Sequence, residues 1–332
     1  MLKFISPGKS KDSTETISDR IIRIALGRRE SGLFILLAGI CIIMSILEPK
    51  TFFTSENMFN ILRQVSVVAI IAVGQTFVMV SGGIDLSIGY NLGLCGIVIA
   101  KSLGAGLNPT TSILAGIIVS AFVGFCNGLV ITKLRLPPFI ATLGMANIAR
   151  GIIYVLTKGY SISIGDPFIL YLGSGNIGII PAMAILMGVI IFIGIYQLDQ
   201  TAFGTRVKAI GGNELATKLS GISVTKNKIA VYTMAGVLAA IGGIITIGRQ
   251  YAANPGAGAN FEMDSIAATI VGGTSLAGGQ GTVLGTLLGS LLLAVIKNAL
   301  ILLSVNMYWQ TVAVGAIIII VCTIDVFTRR KK

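Results

Sequence analysis

GQTFVMVSGGIDLSIG, residues 74–89, sets a carboxylate, Asp85, just after a glycine pair in the middle of a long apolar region. An ionised group is costly to hold in hydrocarbon, so Asp85 must face other protein or a water-filled path. The glycine pair interrupts any helix running through it and frees backbone amides and carbonyls. Membrane depth tolerates such groups only beside protein or a cavity. Two readings of Asp85 stay open from the residues alone. It belongs to a translocation path or gate, or it caps the helix that starts near Leu86 by accepting from free amides. Both can hold at once.

The rest of the chain points to the same solvent. Of 332 residues, 54% are apolar and 11% charged, against roughly 25% charged in an ordinary soluble domain. No soluble fold of this length hides that much apolar surface. The 42 glycines suit helices packed backbone to backbone, and Gly281, Gly285 and Gly289 recur every fourth residue, as do Gly124 and Gly128.

The net charge of +12 does not signal a nucleic-acid partner, because the basic residues sit in short segments between apolar runs, the pattern that orients a membrane protein. The sequence contains no histidine, which removes His-based acid–base catalysis, Ser-His-Asp triads and His-ligated metals. Cys41, Cys95, Cys126 and Cys322 lie singly in apolar stretches without a CxxC pair. They read as packing groups rather than disulfides or metal ligands. No catalytic residue and no metal site is expected.

Taking roughly 20 residues per crossing, the pattern predicts an all-α transmembrane bundle of about ten helices, some Gly-broken. They fall near 32–47, 65–82, 90–107, 110–132, 137–156, 181–198, 229–248, 263–277, 281–303 and 307–326. With the amino terminus in the cytoplasm, most basic residues fall on the cytoplasmic side. The opposite side holds Lys50, Arg63, Lys101, Lys158 and Arg249. That asymmetry predicts a multi-pass protein with both termini inside.

Residues 1–31 are then a cytoplasmic tail, 32–326 the membrane domain and 327–332 a basic cytoplasmic tail. DRIIRIALGRR, residues 19–29, reads either as a helix lying on the membrane surface or as disorder. No small-residue cleavage site follows the first apolar run, so a retained first helix is expected. The segment from Lys158 to Ile180 lies outside on this topology, as a short surface helix or a docking ledge. Residues 199–228 form a charged cytoplasmic loop.

Within that loop, AIGGNELATKLSGI (residues 209–222) carries helix punctuation. Asn213 suits an N-cap, Glu214 the first turn and Lys218 the last, and Gly221 ends the helix. Leu215 and Leu219 share one face, a stripe too small for a core but suited to a partner's groove. An ordinary loop helix packed on its own bundle remains the alternative.

A weaker internal echo links Gly82–Gly89 with Gly272–Gly279, which share a GGxxL-small-x-G pattern. Gly-broken segments at matching places in two halves mark transport sites, although coincidence in a Gly-rich chain produces the same pattern.

GQTFVMVSGGIDLSIG resembles the signature of permeases of monosaccharide ABC importers of the ribose, galactose and xylose type. The resemblance continues through LPPFIATLGMANIARGIIYVLTKG (136–159), TAFGTRVKAIGGNELATKLSGI (201–222), MDSIAATIVGGTSLAGGQGTVLGTLLG (263–289) and VNMYWQ (305–310). It covers nearly everything after about residue 35.

The resemblance implies a permease at the bacterial inner membrane, working as a homodimer with a separate sugar-type ABC ATPase subunit and a periplasmic or extracellular sugar-binding protein. It implies that Gly211, Gly212, Asn213, Glu214, Leu215, Ala216, Lys218, Leu219, Ser220 and Gly221 form the coupling helix that engages the ATPase. SLAGGQ (275–280) looks like an ATPase signature, yet no phosphate-cradling GxxxxGK[ST] accompanies it and apolar runs flank it. The chain itself is therefore expected to bind no cofactor, ATP being used by the partner.

Polar residues in or beside spans are candidates for the path of a neutral sugar: Gln75, Asp85, Ser87, Asn91, Asn127, Thr142, Asn147 and Asn298. Each alternatively bonds another helix. Arg150 and Lys297 either snorkel or pair with a carboxylate. The rival class is an ion-coupled secondary transporter of a small polar solute, with Asp85, Arg150 and Lys297 as coupling charges.

Overall fold

The computed structural model describes residues 29–306 and, beyond them, 308–313, 315–317, 319 and 323. The amino-terminal tail, expected as a surface helix or as disorder, the basic tail and much of the tenth span lie outside the described residues.

In chain order the helices are α1 (Arg29–Leu47), α2 (Ser55–Val80), α3 (Ile88–Gly104), α4 (Pro109–Lys133), α5 (Pro138–Thr157), α6 (Pro167–Ser174), α7 (Ala182–Gln200), α8 (Ala202–Gly212), α9 (Glu214–Leu219), α10 (Val224–Gln250), α11 (Phe261–Val271) and α12 (Val283–Leu302). Two-residue strands β1 (Ile162–Ser163) and β4 (Ala252–Ala253) pair antiparallel, as do β2 (Asn176–Ile177) and β3 (Ile180–Pro181). Among the described residues, six helices are long and apolar enough to cross a membrane. The outward faces of α4 and α7 present Leu114, Ile118, Phe122, Val189 and Phe192, which is what lipid as solvent permits.

Helix starts follow the residues. Thr54, Asn108, Ser223 and Thr282 each accept an amide of the first turn of α2, α4, α10 and α12, satisfying one of the donors a helix start leaves free.

Small residues set how the helices cross. On α4, Gly124 lies against the backbone at Tyr232 and Gly128 against Ile229, while Gly236 of α10 meets Ser120. Gly74 sits against Ala235 where α2 crosses α10. A side chain at any of these would push whole backbones apart. The glycines spaced by four on α4 therefore do what their spacing predicts, as do Gly285 and Gly289, which meet Gly272 and Ala268. Gly281 precedes α12 and meets Thr274 in a loop instead.

The same contacts fix direction. Ile71 faces Gly242 and Gly83 faces Tyr232, so α2 and α10 are antiparallel, whereas Leu92 meets Gly243 and Gly96 meets Ile247, so α3 runs parallel to α10. Asn57 meets Asn298 and Thr76 meets Thr286, so α2 opposes α12. Because α11 opposes α12, it runs parallel to α2. The units α2–α3–α4 and α10–α11–α12 are thus inverted versions of one plan: long helix, break, shorter helix, long helix. The first long helix of each unit lies beside the other unit's shorter one.

Two expectations change. Residues 263–277 do not form a spanning helix, because α11 has 11 residues, about 16 Å at 1.5 Å each, and Gly272–Gly273 ends it. The chain makes this crossing as a loop followed by a half-helix. Nor is the glycine echo the repeat, because α2 corresponds to α10 rather than to α11. The two glycine pairs share a helix-ending chemistry. Gly82 (φ 81°) and Gly273 (φ 87°) are left-handed, and Gly82 N–H and Gly83 N–H donate to Met79 and Val78 carbonyls at 2.9 and 3.0 Å. Gly273 and Thr274 repeat this toward Ile270 and Thr269 at 2.8 and 3.1 Å, and Gly221 closes α9 in the same manner.

Candidate functional site: two helix breaks and a helix end against the first

The first break joins α2 to α3. Asp85, 2% exposed, accepts at Oδ1 from the Ser87 amide (2.8 Å) and hydroxyl (2.6 Å). The Ser87 hydroxyl in turn accepts from Asn127 Nδ2 at 2.8 Å. Gln75, with its amide oriented to satisfy both atoms, donates to the Asp85 carbonyl and accepts from its amide at 3.2 and 3.3 Å. No basic side chain pairs with Asp85 among the described residues. The helix begins at Ile88, two residues after the expected start at Leu86, with Ser87 at its N-cap. Asp85 therefore secures the amide of the cap residue itself. Tyr232 of α10 is buried with its hydroxyl against Gly83; nothing in an apolar span flags one tyrosine, and sequence reading missed it.

The other polar candidates lie around this cluster or farther from it. Asn91 Nδ2 donates to the Ser120 carbonyl at 3.1 Å, joining α3 to α4. Thr142 reaches the carbonyl of Ile84 at 3.3 Å, so α5 touches the break. Asn298 and Asn57 exchange amide bonds of 2.7 and 3.1 Å between α12 and α2. Asn147 is exposed on α5 and donates to Leu143 of its own helix at 3.0 Å. Arg150 stacks over the Tyr90 ring at 5.7 Å. Lys297 pairs with Asp264 of α11.

The second break joins α10 to α11 through residues 251–260. Tyr251 (φ 56°) and Asn260 (φ 70°) bracket it in left-handed conformations. Gly258 lies on Gly89, and a Cβ on either would overlap backbone of the other stretch. The start of α3 and the approach to α11 thus touch inside the bundle.

On one face of the bundle, α8 and α9 lie beside the first break. Asn213 ends α8 and caps α9, its Oδ1 accepting from Ala216 N–H at 2.9 Å. Ser220 Oγ donates to the Ala216 carbonyl at 3.0 Å. Glu214 and Lys228 form an ion pair of 2.6 Å that ties α9 to α10. Leu215 and Leu219 are 68% and 80% exposed. Beside α9 a groove of about 860 Å³ opens, bordered by Arg135, Glu214, Lys218 and Lys228.

The end of α8 is seated against the first break and the turn after α11. A methyl group on Gly211 would collide with the Val80 carbonyl and the Gly279 amide. Gly279 N–H donates to Val80 O at 2.8 Å, and Gly278 meets Gly82 and Gly211. The SLAGGQ stretch is the turn that makes this contact, with Ser275 N–H bonded to Gln280 O at 2.9 Å. A displacement of α8–α9 therefore presses on the end of α2 and on the turn after α11 together.

Apolar helices facing lipid, interlocked around two breaks, define the class: a polytopic helical membrane protein. Residues 57–322 match the family described as branched-chain amino acid transport system / permease component, and the chain belongs to that family. It is 40% identical over 318 residues to the ribose import permease protein of Escherichia coli (strain K12), covering 94% of this chain and 98% of that one. To the ribose import permease protein of Bacillus subtilis (strain 168) it is 43% identical over 303 residues, 91% of each chain. The D-allose transport system permease protein of Escherichia coli (strain K12) is 34% identical over 314 residues, 94% of this chain and 96% of that one. No solved structure matches the chain.

Proposed function

We propose that this chain is the membrane-spanning permease of an ATP-driven importer that brings a monosaccharide, a ribose-like pentose or a hexose, into the cytoplasm of a bacterium. The kinship over nearly the full length with ribose import permeases carries the reading. In it, α8 and α9 lie on the cytoplasmic side, and both termini are inside. A separate ATPase subunit engages Gly211–Leu219, with Leu215 and Leu219 entering its groove. ATP binds there and not on this chain. A soluble sugar-binding protein delivers substrate at the opposite face, and a second copy of this chain completes the path. The local geometry supports the coupling part, since Gly211 is wedged against the end of α2 and the turn after α11.

The polar candidates take graded roles in this reading. Asn147, exposed on α5, faces the second copy across the path. Gln75, Asp85, Ser87, Asn91, Asn127 and Thr142 hold the break that must move when the path opens, and Asn298 holds the far end of α2 against α12.

The test is reconstitution in liposomes. Labelled ribose should accumulate only with the ATPase subunit, ATP and the binding protein present, and vanadate should stop it. Accumulation by the chain alone, abolished by a proton or sodium ionophore, overturns the reading in favour of an ion-coupled carrier.

A further inference from the structure

Away from α8 and α9, a cavity of about 240 Å³ lies among α2, α10, α11 and α12. Water at roughly 30 Å³ a molecule would fill it with on the order of eight molecules. Its polar lining is Gln64, Arg249, Asp264, Ser290, Lys297 and Gln310, and Phe261 supplies an aromatic face. We propose that this cavity is a monosaccharide-binding subsite within the single permease chain, distinct from the path between two copies. The proposal rests on the permease reading and narrows where the sugar pauses.

The chemistry is that of a neutral polyol. A sugar ring presents hydroxyls that each donate and accept, so its site needs both kinds of partner together. Asp264 accepts, Lys297 and Arg249 donate, and Gln64 and Gln310 do both. Lys297 Nζ holds the two Asp264 oxygens at 2.8 and 2.7 Å, which leaves the carboxylate's remaining lone pairs for a pair of neighbouring hydroxyls. The side chains of Gln64 and Arg249 have no hydrogen bond or ion pair among the described residues. Their bonding capacity is unspent beside the cavity. Phe261 offers its ring to the C–H face of a sugar.

Lys297 and Asp264 neutralise one another, so an anion would meet the Asp264 carboxylate as well as Arg249, whereas a neutral polyol meets no like charge. An apolar amino-acid side chain would leave the Gln64 side chain without a partner.

The position fits a waystation. Asp264 and Phe261 belong to the first turn of α11, straight after the second break. Arg249 belongs to the last turn of α10, just before it. Any shift of that break separates Arg249 from Asp264 and dismantles the site, so binding and helix movement are tied together.

Equilibrium binding of tritiated D-ribose to the full-length protein in phosphatidylcholine nanodiscs, without partners, tests this. Saturable binding is expected. Asp264→Asn and Gln64→Leu should each weaken it by about tenfold, the loss of one buried hydrogen-bond partner. Gln64 bonds nothing in the fold, so Gln64→Leu keeps the test open should Asp264→Asn fail to fold. Inorganic phosphate and L-leucine should not compete. Competition by phosphate, or ribose binding indifferent to both variants, overturns the assignment. Uptake by the complete importer separates the two levels. Ribose uptake without ribose binding to the isolated chain refutes the cavity and leaves the permease reading intact. Absence of any monosaccharide uptake refutes both.

Discussion

The two helix breaks do the same topological job with different materials. Between α2 and α3, side chains bind the break: Asp85, Ser87, Asn127 and Gln75 form a closed set of bonds deep in protein. Between α10 and α11, backbone is held by backbone, Gly258 on Gly89, with side-chain bonds at its edges only: Asn254 Oδ1 accepts from Gly256 N–H at 3.0 Å and the Tyr251 hydroxyl donates to Ser174 at 3.2 Å. A network of directional bonds resists bending until it fails. A glycine contact slides. The first break therefore acts as a pivot of fixed geometry and the second as a joint that accommodates movement, and the cavity proposed to take sugar borders the joint.

Substitutions graded by which break they reach can dismantle that contrast. Gly211→Val reaches the first break and the turn after α11, because the new side chain meets Val80 and Gly279 backbone. It should cost about 3 kcal/mol, the upper range for overpacking, and abolish uptake. Denaturant titration in mixed micelles measures the first effect, and complementation of a strain lacking pentose uptake the second. A fully stable, active Gly211→Val protein would show that α8 bears on neither.

Asp85→Ala touches only the pivot. Leaving the Ser87 amide and hydroxyl without their acceptor should cost about 2 kcal/mol, whereas Asp85→Asn keeps an oxygen acceptor and should lose less than half of that in the same titration. Equal losses would mean that the charge, not the hydrogen bonding, is what α3 needs.

Gly258→Ala touches only the joint. The methyl group meets the Gly89 carbonyl, but the loop can yield, so a cost of about 1 kcal/mol is expected. Uptake should slow while ATPase binding is unchanged. A loss as large as that of Asp85→Ala would make the two breaks equally rigid.

Leu219→Ala touches neither. Stability should stay within about 0.5 kcal/mol, as for an exposed position, while co-purification of the ATPase subunit falls. Unaltered ATPase recovery would remove Leu219 from the proposed interface.

Much of this architecture was readable in residue order, for identifiable reasons. The Gly82–Gly83 break and the Asn213 cap are local events, written within a few residues of where they act. The span near 263–277 was misjudged because Ala, Ile and Val continue the apolar run up to the glycine pair, and hydropathy does not register that a helix enters halfway through the bilayer. The repeat was mispaired because matching glycines advertise shared helix endings, while inversion reverses chain direction and leaves no similar string. Asp264 and Lys297 lie on different helices, so no spacing rule joins them. Tyr232 is a single residue with nothing local to distinguish it.

The β1–β4 pair carries an implication at the far face. Ile162 and Ser163, in the connection after α5, register with Ala253 and Ala252 at the mouth of the second break. The hinge loop is thereby stitched to the ledge that holds α6. Whatever seats on that ledge and tightens it changes the energy of the loop, and thermodynamic reciprocity requires the converse. In the proposed importer, a sugar that settles the loop would strengthen the grip of the outside partner to the same degree.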